Sequence, residues 1–169
     1  MLLRLNLAVL ALVAAAAPAP AQDVGPAHGS LVIVGGGALD QVILERLVQL
    51  AGGPDAPLVV IPTAGEDESY DQYWPGLRGL RQAGATQLTV LHTRDRAVAN
   101  TAEFAAPLRQ ARGVWFPGGR QWRLADSYLN TRVHEELKGV LARGGVIGGT
   151  SAGATILGSY LVRGDTRTN

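Results

Sequence analysis

Residues 146–159, "VIGGTSAGATILGS", hold the pattern that decides the fold. Gly149-Thr150-Ser151-Ala152-Gly153 has the form G-x-S-x-G. A chain that passes from a buried strand into a helix through so sharp a turn tolerates only small residues beside the central serine. The hydroxyl is then pushed out above the sheet edge. The N–H of the next residue, Ala152, points to where an oxyanion would form, aided by the positive end of the helix it begins. Five residues alone serve equally as a small-residue packing turn. The flanks favour the first reading, because "GVIG" makes a buried strand and "ATILG" the start of a helix.

Upstream of this stretch, strand and helix patterns alternate. "SLVIVGGG" (30–37) is a short β-branched run closed by glycines and predicts a buried parallel strand. Apolar residues at Leu39, Val42, Ile43, Leu47 and Leu50 predict a helix over 38–52. Residues 56–65 predict a strand ending in "PTAG". A helix follows within 69–84, at least from Pro75, which suits a first turn. A third strand is predicted over 86–93 and a helix opened by a threonine cap over 101–112. A fourth strand with its exit loop covers 113–119, and one or two helices cover 123–145. Such alternation calls for a parallel sheet between helical layers. Every strand then ends at one edge, where ligands bind in sheets of this kind.

Two glycine clusters fall at that edge. Gly35-Gly36-Gly37 follows the first strand, but position 40 is Asp40, so the third glycine of a dinucleotide fingerprint is missing. A tight, ligand-facing turn is the better expectation. "WFPGGRQWRL" (115–124) places Gly118-Gly119 after the fourth strand. Such a turn lets a ligand approach the backbone and frees N–H groups as donors. Gln121 can donate and accept, and Arg120 or Arg123 can hold a carboxylate. The competing expectation is a surface helix start with solvated arginines.

Composition excludes several functions. The 169-residue chain carries a net charge of +1 and no cysteine, which leaves no electrostatic footprint for nucleic acid and no thiolate chemistry. No acidic cluster stands at ligand spacing with a histidine, so neither a metal nor another cofactor is expected. The N-terminus "MLLRLNLAVLALVAAAAPAPAQ" joins Arg4 to an apolar run and ends in Ala19-Pro20-Ala21. That is the form of a cleavable export signal over 1–21. A loose leader, 22–29, would follow, and then an α/β domain from 30 to 169. The expected location is periplasmic or secreted, with membrane contact only through the signal. Nothing in the chain forbids a homodimer.

"GGTSAGA", preceded by "FPGGRQWRL", by "PTAG" and by "IVGGG" in that order, resembles the cyanophycinase family of serine peptidases. That family is grouped with the aspartyl dipeptidases and resembles class I glutamine amidotransferases in fold. The resemblance spans 30–169 and implies Ser151 as nucleophile and an oxyanion hole from Gly118, Gly119 and Ala152. It also implies that Gln121 positions the substrate, a peptide or cyanophycin-like polymer cut at β-aspartyl linkages. In the family the histidine base and its acid lie downstream of the serine. Here 18 residues follow Ser151, with Asp165 as their only acid. His28, His92 and His134 all lie upstream and are expected as surface or loop histidines. A chain truncated beyond the nucleophile is therefore expected. Two alternatives stand beside a peptidase: an esterase of the α/β-hydrolase kind, in which "GGRQWRL" has no role, and a non-catalytic module that keeps the ligand edge.

Overall fold

A computed structural model describes residues 25–163. The expected export signal, the start of the leader and Asp165 lie outside the described residues. The described part is a five-stranded sheet, β1 (Ser30–Val34), β2 (Leu58–Val60), β3 (Leu88–Val90), β4 (Gly113–Phe116) and β5 (Val146–Thr150). Its order is β1-β5-β4-β2-β3, and all pairings are parallel.

Alternation along the strands divides the core. Leu58, Val60, Trp115 and Val146 face α1 (Gln41–Ala51) and α2 (Arg78–Gln82). Val59, Ile61, Val114, Phe116 and Ile147 face the other layer. That layer comprises α3 (Arg96–Ala99), α4 (Ala106–Gln110), α5 (Gln121–Tyr128), α6 (Arg132–Ala142) and α7 (Ala152–Thr155). The sequence thus predicts the three-layer α/β architecture correctly, consistent with a class I glutamine amidotransferase-like fold. Side chains in this core, such as Leu47, Val60 and Val114, are fully buried. Each is worth ~1.5–3 kcal/mol of transfer free energy.

Local chemistry sets the boundaries. Asp40, which breaks the dinucleotide pattern, caps α1 by accepting from the Val42 N–H at 3.1 Å. Gly52 ends the same helix at φ 113°, a left-handed conformation natural to glycine. Over 69–84 the helix is shorter than expected, a 3-10 turn at Pro75–Leu77 leading into α2. The helix expected over 101–112 is also corrected. Asp95 caps the short α3, Thr101 accepts from Phe104 in a turn, and Pro107 holds the helical start back to Ala106. The segment 123–145 contains two helices, and the first begins two residues early, at Gln121. Asn130, at φ 58°, turns the chain between them.

The order of strands creates the crevice. The chain leaves β1 toward α1 on one face and leaves β5 toward α7 on the other. Adjacent strands whose exits part in this way leave an opening at their C-terminal ends. Ser151 stands there.

Candidate active site

Ser151 follows β5 directly and begins the turn into α7 at φ 53°, ψ −119°. This is sparsely populated backbone for a residue with a side chain, and holding it costs ~1–3 kcal/mol. Several bonds over-determine it. The Ser151 N–H donates to the Val34 carbonyl at 2.9 Å, extending the β1–β5 ladder by one step. Its carbonyl accepts from the Ala154 and Thr155 N–H groups, both at 2.9 Å, and from the Thr155 hydroxyl at 3.1 Å. The side chain is exposed.

The flanking glycines make the turn sterically feasible. A methyl group on Gly149 would overlap the Gly153 carbonyl, and one on Gly153 would overlap the Phe116 carbonyl. The G-x-S-x-G spacing is therefore a packing requirement at two backbone–backbone approaches.

Two further glycines bracket the serine. A Cβ on Gly36, at φ 118°, would lie 3.5 Å from Ser151 Cβ, and one on Gly118 would lie 3.4 Å from it. The three glycine-bearing loops thus converge on one hydroxyl. Ala152 is buried, and as the first residue of α7 its N–H has no intrahelical acceptor. Gly119, at φ 140°, passes so close to the Ala64 carbonyl that no side chain fits between them. The Arg120 N–H then donates to that same carbonyl at 2.8 Å.

The remaining sequence-predicted residues lie on α5 and its entry. Gln121 Nε2 donates to the Val162 carbonyl at 2.9 Å, which leaves its Oε1 and a second N–H. Arg120 is half-buried at the turn. Arg123 differs from expectation. It is only 7% exposed, and its Nη1 donates to the Ala64 and Gly65 carbonyls at 3.2 and 2.7 Å. It sits beneath the loop, away from the surface where a substrate carboxylate would arrive.

None of the three histidines hydrogen-bonds Ser151 among the described residues. His28 precedes β1, at the opposite edge of the sheet. His92 follows β3, three strand positions from β5, or ~14 Å. Its Nδ1 pairs with Thr63 Oγ1 at 2.9 Å, and Thr63 pairs with the buried Tyr128 hydroxyl at 2.6 Å. Burial, and then the charge of Arg94, hold the His92 imidazole below its ordinary pKa. His134 Nδ1 accepts from the Asn130 N–H at 3.2 Å, and its pKa is lowered by burial and by Lys138. The Thr63–His92–Tyr128 group was not foreseen. Its members come from separate strand ends and a helix, and only "PTAG" hinted at one of them.

A strained serine at a strand–helix elbow, on the C-terminal edge of a parallel sheet between helices, defines the α/β class with a nucleophile-type turn. Comparison with known proteins gives the particular group: residues 31–168 match the model of peptidase family S51, and the chain belongs to that family. It is 33% identical over 142 residues to a cyanophycinase of Geminocystis herdmanii, covering 80% of this chain and 51% of the relative. It is 35% identical over 141 residues to a cyanophycinase of Synechococcus elongatus, covering 80% of this chain and 43% of that protein. The chain thus spans about half the length of the curated relatives it matches. Among solved structures, a peptidase from an acI-B1 actinobacterium superposes with TM-score 0.67 at 28% identity, covering 79% of this chain and 58% of its own.

Proposed function

We propose that Ser151 is the nucleophile of a serine-type exopeptidase that hydrolyses β-aspartyl linkages. The observation that carries this reading is the serine itself, exposed at φ 53° between Gly36 and Gly118 within the span that matches the family. In the proposed reaction Ser151 Oγ attacks the carbonyl carbon of the scissile amide, and its proton passes through solvent to the nitrogen of the leaving amine. The tetrahedral oxyanion lies against the N–H of Ala152 and the Gly118–Gly119 turn. Collapse expels the amine and leaves an acyl-enzyme, which water cleaves. Gln121 and Arg120 hold the aspartyl group and its free carboxylate. The named function of the relatives, cyanophycinase, supports an aspartate-arginine polymer or its fragments as substrate.

A serine with no base beside it reacts slowly. Loss of the histidine leaves only what the oxyanion hole and binding supply, a fall of roughly 10⁴ to 10⁶ in turnover. The 169-residue chain should therefore release arginine from β-aspartyl-arginine only at that residual rate and leave α-aspartyl-arginine intact, and phenylboronate, which needs a serine hydroxyl for its adduct, should bind it and not Ser151→Ala. Equal phenylboronate affinity in the two would overturn the assignment. The same reading has the protein exported, and mass spectrometry of the mature form should find Gln22 at its N-terminus.

The lack of an imidazole hydrogen-bonded to Ser151 among the described residues favours a second reading, a module that binds β-aspartyl peptides without cutting them. On that reading wild type and Ser151→Ala bind the dipeptide equally and neither cleaves it.

A further inference from the structure

We infer that Arg123 is a positioning residue, a buried clamp that fixes the Gly118–Gly119 turn opposite Ser151 by tying it to the loop after β2. The inference rests on the reading of Ser151 as nucleophile and of that turn as an oxyanion donor.

A buried arginine is normally paired with an acid. Among the described residues no carboxylate forms an ion pair with Arg123. Backbone carbonyls solvate its guanidinium instead, those of Ala64 and Gly65, and the group also lies 5.3 Å from the centre of the Trp122 ring. Burying a charge in this way is costly, so the arrangement calls for a local reason.

Topology supplies one. β2 and β4 are neighbours, but their exits diverge, β2 toward α2 and β4 toward α5. The loop after β2 nevertheless stays against α5, joined by the Arg120 N–H to the Ala64 carbonyl and by Thr63 to Tyr128, and Arg123 adds a charged tie to these. Arg123 stands on the first turn of α5 and reaches back to the β2 loop. The Ala64 carbonyl it holds is the one that accepts from the Arg120 N–H and against which Gly119 packs. Fixing Ala64 therefore fixes Gly119 and Arg120, and with them Gly118, the residue that faces Ser151. Arg94 binds the loop from its other side, donating to the Gly65, Glu66 and Asp67 carbonyls at 2.9–3.1 Å. Arg94 is exposed and does not touch Ala64, so Arg123 is the side chain that holds this carbonyl, beside the backbone bond from the Arg120 N–H.

The test uses the 169-residue chain, Arg123→Met and Arg123→Lys, with two readouts. The first is amide exchange by NMR at Arg120, with Val114 in β4 as internal reference. The second is the affinity of phenylboronate, which forms a tetrahedral adduct on a serine hydroxyl and places an oxygen in the oxyanion site. Wild type should bind phenylboronate and Ser151→Ala should not. If wild type fails to bind, the nucleophile reading itself falls, whatever the exchange data show. If it binds, Arg123→Met should lose about tenfold in affinity and exchange Arg120 about tenfold faster, with Val114 unchanged. Arg123→Lys, shorter but still a cationic donor, should fall between. Wild-type affinity and wild-type Arg120 exchange in Arg123→Met would overturn the clamp. Should Arg123→Met not fold, Arg123→Lys decides, and its equality with wild type in both readouts would equally overturn the inference.

Discussion

Gly118 and Ser151 face each other across the β4–β5 edge, and a Cβ on Gly118 would lie 3.4 Å from Ser151 Cβ and 3.8 Å from its Oγ. That separation is ordinary van der Waals contact, and Gly118 does not have a positive φ. Gly118→Ala should therefore fold with a stability change within ~1 kcal/mol. If Ser151 acts as the proposed nucleophile, the new methyl, 3.8 Å from Oγ, crowds the approach of an acyl group to it. Phenylboronate affinity should fall about tenfold or more while the urea midpoint barely moves. Unchanged affinity would mean that substrate reaches Ser151 from another side.

The two glycines of the elbow behave differently. A methyl on Gly153 overlaps the Phe116 carbonyl and one on Gly149 overlaps the Gly153 carbonyl, so backbone must move in either case. Gly153→Ala and Gly149→Ala should each cost at least ~2 kcal/mol in urea denaturation. A variant as stable as wild type would contradict the packing described for the turn.

These positions were legible in the sequence because their constraint is local. A strand–serine–helix turn needs small residues at fixed offsets, and 146–159 supplies them beside an apolar strand. The alternation of elements likewise identified the layered sheet. The meeting of Gly36 with Ser151 was not legible, since it depends on β1 lying next to β5 across more than a hundred residues of chain. Arg123 shows the same limit. Its sequence neighbours, Arg120 and Gln121, place it in a ligand loop, and only the approach of the β2 loop turns its side chain into internal support. The helix expected from Thr101 starts later, at Ala106, for a local reason: the Thr101 hydroxyl accepts from the Phe104 N–H in a turn and Pro107 suits the first helical turn.

Backbone strain at Ser151 gives a prediction of opposite sign to the glycine variants. At φ 53°, ψ −119° a side chain is disfavoured and glycine is not. Ser151→Gly should raise stability by ~1 kcal/mol and abolish phenylboronate binding. Ser151→Ala keeps a Cβ and should abolish binding without that gain. Equal urea midpoints for the two variants would show that the turn stores no strain.

The histidines give the pH dependence. His92 is packed against Thr63, edge-on to Tyr70 at 4.8 Å between ring centres, and near the Arg94 charge. Burial first and Arg94 second lower its pKa below 6.5, against a smaller opposing effect of Glu68. His134 shifts the same way through burial and Lys138. Above the unfolded value both states are neutral and these groups contribute no pH dependence. Below it the unfolded chain binds protons that the folded chain refuses, so stability falls as the solution is acidified, down to the folded pKa. The urea midpoint should thus decline between about pH 6.5 and pH 5, a window above most carboxylate titration. His92→Gln and His134→Gln should each flatten the decline, and the double variant should remove most of it. A double variant with the full wild-type slope in that window would show that neither imidazole is held neutral by its surroundings.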